Sequence, residues 1–373
     1  MVAGSNPAGI ASRSNPVCDG TGVGLAVVEG MRYQSIQMLR AIAALMVVVV
    51  HTNVAFSPED RAKLWWWPGF SDHGYVGVSL FFVISGFIIA NWMDRADISL
   101  STYAWRRFWR IVPLYWIVMA AGLYWHRTYS WYQYNLDTLG MSGMIKSALI
   151  LPMQEHPFWA PGWSLEHEVI FYVIAALIAP FFGLRVLAAV MVGLGATGLL
   201  IQPEWDYHLL SEYQILFGAG IVAYLLRDRP WRIALPIAVI GLAGGIGFYY
   251  GLPLPREAAT PLLGIGTAGL IIALLDVERL GWRVPWPVVL LGNATFSLYL
   301  WHWALIPYIA RWAYEYGGEP EFWRWVMVLA SIGIALASYL LVEKPCEFIS
   351  HLWRRRPTER RPATEAVTRE SAG

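Results

Sequence analysis

One stretch of this chain is almost wholly apolar yet carries an arginine near one end and a histidine near the other. Residues 36–56 read IQMLRAIAALMVVVVHTNVAF, with Arg40 and His51 as the two ionisable groups. On an α-helix their separation is about three turns. The side chains then point within roughly 20° of each other and lie ~16 Å apart along the axis. Ionisable groups inside a run of membrane-spanning length face a bundle interior or a wet cavity, where they do chemistry or guide ions. Histidine suits removal of a proton from a hydroxyl near neutral pH, and a covalent intermediate on the imidazole is equally compatible with the sequence. A guanidinium suits an anion such as phosphate.

Four further stretches hold residues of chemical interest. YAWRRFWRIVPLYW places Arg106, Arg107 and Arg110 among Trp105 and Trp109. This is either an interfacial anchor for lipid headgroups or a grip on an anionic ligand. PGWSLEHEVIFYV carries Glu166 and Glu168 around His167 at the entry of an apolar run. Ser164 is positioned to cap that helix, and helix-dipole effects alone account for carboxylates there. LGNATFSLYLWHWALIP sets His302 between two tryptophans, where a satisfied core histidine is the ordinary outcome. GYVGVSLFFVISGFII is rich in small residues, which let helices cross closely.

The elements that must position these groups are membrane helices. The chain is 57% hydrophobic and only 14% charged, with 21 Trp. A soluble protein of this size carries about a quarter charged residues. The fold class expected is all-α, a polytopic integral membrane bundle of about ten transmembrane helices. They fall near 36–56, 74–93, 111–126, 164–183, 184–202, 212–226, 231–250, 257–275, 287–311 and 322–342. Lys and Arg gather in alternate short loops, from Arg95 to Arg283 and in the 344–356 tail. The bias predicts both termini in the cytoplasm. Residues 127–162 then form an outer loop, with Ile145–Met153 as a re-entrant or interfacial helix. Residues 1–30 are Gly-, Ser-, Asn- and Pro-rich without a signal-peptide pattern, and a disordered extension, or a start placed too far upstream, is expected. Residues 31–350 form the membrane domain, and 351–373 a disordered basic cytoplasmic tail. Two cysteines, Cys18 and Cys346, give no disulfide framework, and no zinc-type spacing occurs. The net charge of +1 offers nothing for nucleic acid.

Taken in order, these motifs resemble the membrane acyltransferase 3 family, the sugar O-acyltransferases, over roughly residues 33–350. Arg40 and His51 match its R-x10-H first helix, and GVSLFFVISGFII its second-helix motif. Many members carry an acidic residue where this chain has Ser79. Arg107 and Arg110 match an R-x-x-R, and Trp163, Ser164, Leu165, Glu168, Phe171 and Tyr172 match W-S-L-x-x-E-x-x-F-Y. Ser297, Tyr299, Leu300, Trp301 and His302 match S-x-Y-L-W-H, and Glu343, Lys344 and Pro345 match E-K-P.

The resemblance implies a stand-alone O-acyltransferase of the bacterial inner membrane, without the soluble esterase-like domain fused to some relatives. It implies acyl-coenzyme A, most simply acetyl-coenzyme A, as co-substrate, with no permanently bound cofactor and no metal. Arg107 and Arg110 would hold its phosphates at the cytoplasmic face. His51 would be the general base, with Arg40 aligned to hold the donor's polar arm. Glu168 would orient a histidine or accept a bond from a sugar hydroxyl. Trp163, Tyr299 and His302 would contact a carbohydrate acceptor. With the topology above, His51, Glu168 and His302 fall in the outer halves of their spans, away from the arginines. The acyl group would pass directly to the acceptor or to a separate periplasmic transferase. The rival class is a transporter or flippase for a glycan or lipid-linked precursor, favoured by inverted repeats or paired broken helices.

Overall fold

A computed structural model describes residues 33–65, 73–95, 99–126, 130–201 and 208–352. The expectations for residues 1–30 and for almost all of the 351–373 tail lie outside the described residues. Within them the structure is all helical. In chain order the helices are α1 (Gln34–Val54), α2 (Pro58–Lys63), α3 (Val76–Met93), α4 (Leu100–His126), α5 (Ser130–Ala148), α6 (Gly162–Ile201) and α7 (Gln214–Leu225). They continue with α8 (Trp231–Tyr249), α9 (Arg256–Arg279), α10 (Trp286–Asn293), α11 (Thr295–Tyr316), α12 (Pro320–Ser338) and α13 (Lys344–Leu352). A π-helical turn, Tyr339–Glu343, joins the last two. Six helices among the described residues are long and apolar enough to cross a membrane, or seven if the bent pair α10–α11 is one span. This is a multi-pass helical membrane protein.

Helix α1 sits at the centre, packed against α3, α9, α10, α11 and α12. Lipid tails are as apolar as leucine, so such a bundle is held by close packing and internal hydrogen bonds. Small residues make that packing possible. A Cβ on Gly77 of α3 would lie 2.3 Å from the Ala43 carbonyl oxygen, and one on Gly292 of α10 would lie 2.2 Å from that of Gln37. The second-helix motif therefore does serve helix crossing: Gly86 meets the backbone of α7, and Gly220 of α7 meets that of α3.

Several expected elements differ in detail. The boundary expected between the spans 164–183 and 184–202 falls where α6 is interrupted, at Gly183, whose non-helical φ of 80° suits glycine and divides α6 into two arms. The span placed at 287–311 is broken between Asn293 and Thr295, and its two pieces bend by 69°. Ile145–Met153 is not a helix of its own. It overlaps the second piece of α5, which is broken at Gly140 (φ 60°) and ends at Ala148, and the chain turns at Ile150. The following segment enters the bundle, where Phe158 and Trp159 are fully buried. Trp159 Nε1–H donates to the Leu300 carbonyl, tying this segment to α11.

The Gly86–Gly220 contact makes a clear prediction. Gly220→Val forces its side chain into the Val83 carbonyl, 2.0 Å from the Cβ position. Overpacking of this kind costs about 1–3 kcal/mol. Thermal unfolding in detergent should show a lower midpoint for this variant and an unchanged one for Gly193→Ala, where a Cβ meets nothing within 4 Å.

Candidate active site

The site is built in two levels along α1, at the ends marked by His51 and by Arg40. A neutral imidazole can donate from only one ring nitrogen. His51 Nδ1 lies 2.7 Å from the Val47 carbonyl oxygen, which can only accept. Nδ1 therefore carries the proton, and the lone pair sits on Nε2. His302 is held the same way, with Nδ1 3.2 Å from the Leu298 carbonyl oxygen. The two rings meet with centroids 4.9 Å apart, and Trp303 packs edge-on to His51 at 5.3 Å. His302 is fully buried and its Nε2 has no hydrogen-bond partner, whereas His51 is only half-buried. Tyr299 packs against His302 at 5.8 Å, and its hydroxyl shares a 2.8 Å hydrogen bond with Ser164. Ser164 also donates to the Pro161 carbonyl and lies inside the first turn of α6. It is a tether between α6 and α11 and not the N-cap expected from the sequence.

The second level gathers Arg40, Arg107, Arg110, Glu168 and Glu343. Arg110 Nη1 lies 2.6 Å from Glu343 Oε2 in an ion pair whose carboxylate side chain is 3% exposed. Glu343 Oε1 accepts from both the N–H and the Oγ–H of Ser297, at the start of α11. Arg107 is different. Its guanidinium lies over the rings of Trp92, Tyr103 and Tyr172 at 5.9, 5.8 and 5.4 Å. Such cation–π contacts hold a guanidinium flat without neutralising it. Among the described residues it makes no ion pair, and its buried Nε has no hydrogen-bond partner. Among the described residues Arg40 bonds Gln37, at 3.1 Å, and lies in electrostatic reach of Arg110, Glu343, Glu168 and Tyr172.

The structure thus brings His51, His302 and Tyr299 together, and separately Arg40, Arg107, Arg110 and Glu168. Of the two roles expected of Glu168, orienting a histidine has no support among its described contacts. Glu168 belongs with the arginines and not with the histidines. Its Oε1 accepts from Ser85 Oγ–H at 2.6 Å and from the Tyr172 hydroxyl, and its described partners include no histidine. The carboxylate that does meet a histidine is Glu166, whose Oε2 lies 2.7 Å from His208 Nε2, both nearly fully buried. Trp163 packs against His167 and Tyr213 around this second group, one turn from Ser164.

Sequence reasoning also passed over Arg324. It is 1% exposed, bonds Asn53 Oδ1 and the Trp65 carbonyl, and pairs with Glu321 at 3.3 Å. A lone arginine with a glutamate three residues before it in α12 is the signal that could have marked it.

The chain belongs to the acyltransferase-domain family Acyl_transf_3, which matches residues 33–343. It is therefore an acyltransferase. It is 28% identical over 292 residues to the exopolysaccharide production protein ExoZ of Rhizobium meliloti (strain 1021), covering 73% of this chain and 89% of that one. It is 25% identical over 345 residues to the putative membrane-bound transacylase BcsY of Komagataeibacter xylinus, covering 84% and 82%. It is 27% identical over 387 residues to the acyltransferase MdmB of Streptomyces mycarofaciens, covering 90% and 97%. No solved structure matches the chain.

The two donors to Glu168 give a prediction. Ser85→Ala or Tyr172→Phe each removes one, at about 1–2 kcal/mol. The double variant leaves the oxygen of this half-buried carboxylate without either donor and should lose more than the sum of the two. Thermal unfolding of the three variants in detergent measures this, and strict additivity would contradict it.

Proposed function

We propose that this acyltransferase moves an acyl group, in the first instance acetyl, from acyl-coenzyme A to a hydroxyl of a carbohydrate that is exported or displayed at the cell surface. The observation that carries the reading is the orientation of His51. Its Nδ1–H is fixed by the Val47 carbonyl, so its Nε2 lone pair is presented at a half-buried position beside His302 and Tyr299. That is the form of imidazole a general base requires. Two relatives, an exopolysaccharide production protein and a putative membrane-bound transacylase, favour a carbohydrate acceptor and membrane-bound transfer.

In this reading the protein crosses a bacterial inner membrane ten times, counting the two arms of α6 separately and α10–α11 as one span. Residues 31–350 form the acyltransferase unit, and both termini are cytoplasmic. The positive-inside rule then puts the Arg107 level toward the cytoplasm and His51 toward the far side. Coenzyme A is a polyanion on a long flexible arm. Arg107, held by aromatic rings without a carboxylate, is suited to its phosphates. Arg40 lies about 16 Å from His51 along α1, on the path the arm must follow.

The chemistry is acyl substitution. His51 Nε2 takes the proton of the acceptor hydroxyl as its oxygen attacks the thioester carbonyl. The C–O bond of the ester forms, the C–S bond breaks, and the thiolate leaves with the proton that His51 received. In this reading His302 and Tyr299 beside His51, and Trp163 next to Ser164 on α6, contact the acceptor. A separate periplasmic transferase that takes over the acyl group is compatible with the same first step.

General-base catalysis contributes about 10²–10⁴-fold. His51→Ala should therefore lower acyl transfer to surface carbohydrate by that order at matched membrane abundance. NMR of acyl groups on the glycans of a deletion strain, complemented with wild type or with His51→Ala, measures it. Equal restoration by both proteins would remove His51 from the mechanism.

A further inference from the structure

The two arginines of the R-x-x-R stretch occupy opposite electrostatic situations, one turn apart on α4. Arg107 has no carboxylate partner among the described residues and is held by three aromatic faces. Arg110 is already paired. Its Nη1 contacts Glu343, and that carboxylate spends its other oxygen on Ser297. The Glu343 carboxylate is buried while the Arg110 side chain is 32% exposed, and removing the arginine leaves an uncompensated buried charge, which is expensive. An anionic ligand that captured Arg110 would have to strip it from Glu343 first. Arg107 needs no such exchange.

We propose that Arg110, Glu343 and Ser297 form a positioning clasp that fixes α11, and with it His302, while the anionic donor is held by Arg107. The inference rests on the acyl-coenzyme A reading above and refines it. Three observations carry it. Glu343 binds the backbone N–H of Ser297 in the first turn of α11, where helix N–H groups have no intrahelical partner. This is the piece that follows the 69° break after α10, so its start is not held by a continuous helix. The clasp extends through Ser297 Oγ to Ser338 Oγ at 3.0 Å, and Trp301 Nε1–H donates to the same Ser338 oxygen. His302 follows Trp301 directly and packs on His51.

Helix α11 is thus pinned at its first turn by a carboxylate from the far end of α12, and that carboxylate is pinned by Arg110 from α4. A helix register set at Ser297 is transmitted rigidly over about 7 Å to His302. The wide π-helical turn at Tyr339–Glu343 is what brings the carboxylate inward, and such turns concentrate at functional places. The E-K-P sequence, which reads as helix-exit punctuation, supplies the central atom pair of the clasp.

The test uses full-length protein in detergent, with coenzyme A as the binding probe and acetyl-coenzyme A as donor. Titration calorimetry gives affinity and binding stoichiometry, and released thiol gives turnover, expressed per coenzyme A site so that an unfolded fraction does not count. The variants are Arg107→Gln, Arg110→Gln, Glu343→Gln and the Arg110→Gln/Glu343→Gln pair. The clasp predicts coenzyme A affinity within about twofold of wild type for all but Arg107→Gln, which loses tenfold or more. It also predicts turnover down at least tenfold in Arg110→Gln and Glu343→Gln, with the pair no worse than the poorer single variant. Glu343→Asp should recover part of the loss.

Loss of coenzyme A affinity in Arg110→Gln matching that of Arg107→Gln overturns the proposal, because Arg110 then binds the anion. Wild-type turnover per site in Glu343→Gln overturns it as well, because the clasp then positions nothing. A wild-type protein that neither binds coenzyme A nor releases thiol sinks the donor reading itself. That failure is distinct from either of the others.

Discussion

A charged or polar group taken into an apolar bundle must be met by a partner, and the architecture of this protein follows from how each group is met. Arg110 is met by a carboxylate, Arg107 by aromatic faces, and the imidazoles of His51 and His302 by carbonyls of their own helices. These solutions leave different residual chemistry. The ion pair is neutral and satisfied. The ring-held guanidinium keeps its charge available, and the carbonyl-anchored imidazole keeps a lone pair available. Groups of the second and third kinds are therefore the ones poised for a ligand.

Helix α1 makes this arrangement possible because it is largely enclosed and its backbone is approached closely where α3 and α10 cross. Gly77 of α3 and Gly292 of α10 bring those helices against the backbone of Ala43 and Gln37. Those contacts fix α1 in rotation, and its rotation decides that Arg40 and His51 look into the bundle. The apolar cluster of Val48, Val49, Leu298 and Met327 then locks α1 to α11 and α12 below the imidazole pair. Packing and chemistry are not separable here.

Much of this was legible in the chain because helix periodicity and apolar length are local signals. The stretch 36–56 is α1 within two residues, and Arg40 and His51 mark its two levels. Arg107 and Arg110 were visible as a pair, but their division of labour was not. Glu343 lies 233 residues from Arg110, and no spacing rule connects them. Glu168 was expected in the outer half of its span, with the histidines, because α6 enters from that end. A few residues of helix carry it to the arginine level, where Ser85 and Tyr172 hold it. The break before Thr295 escaped notice because Asn293 and Ala294 interrupt neither length nor hydropathy. Likewise the buried Trp159 lay in a segment that composition alone made a surface loop.

The central claim is that an anion site and an imidazole base lie at opposite levels of one bundle, so that donor and acceptor are served from opposite sides of a membrane. The most direct measurement supplies acetyl-coenzyme A carrying labelled acetyl, which does not cross membranes, to one face only. Inverted inner-membrane vesicles and intact spheroplasts of the producing cells are compared. The account predicts alkali-labile label on carbohydrate enclosed within inverted vesicles and none on spheroplasts. Equal labelling of spheroplasts would place donor and acceptor on the same side and contradict it.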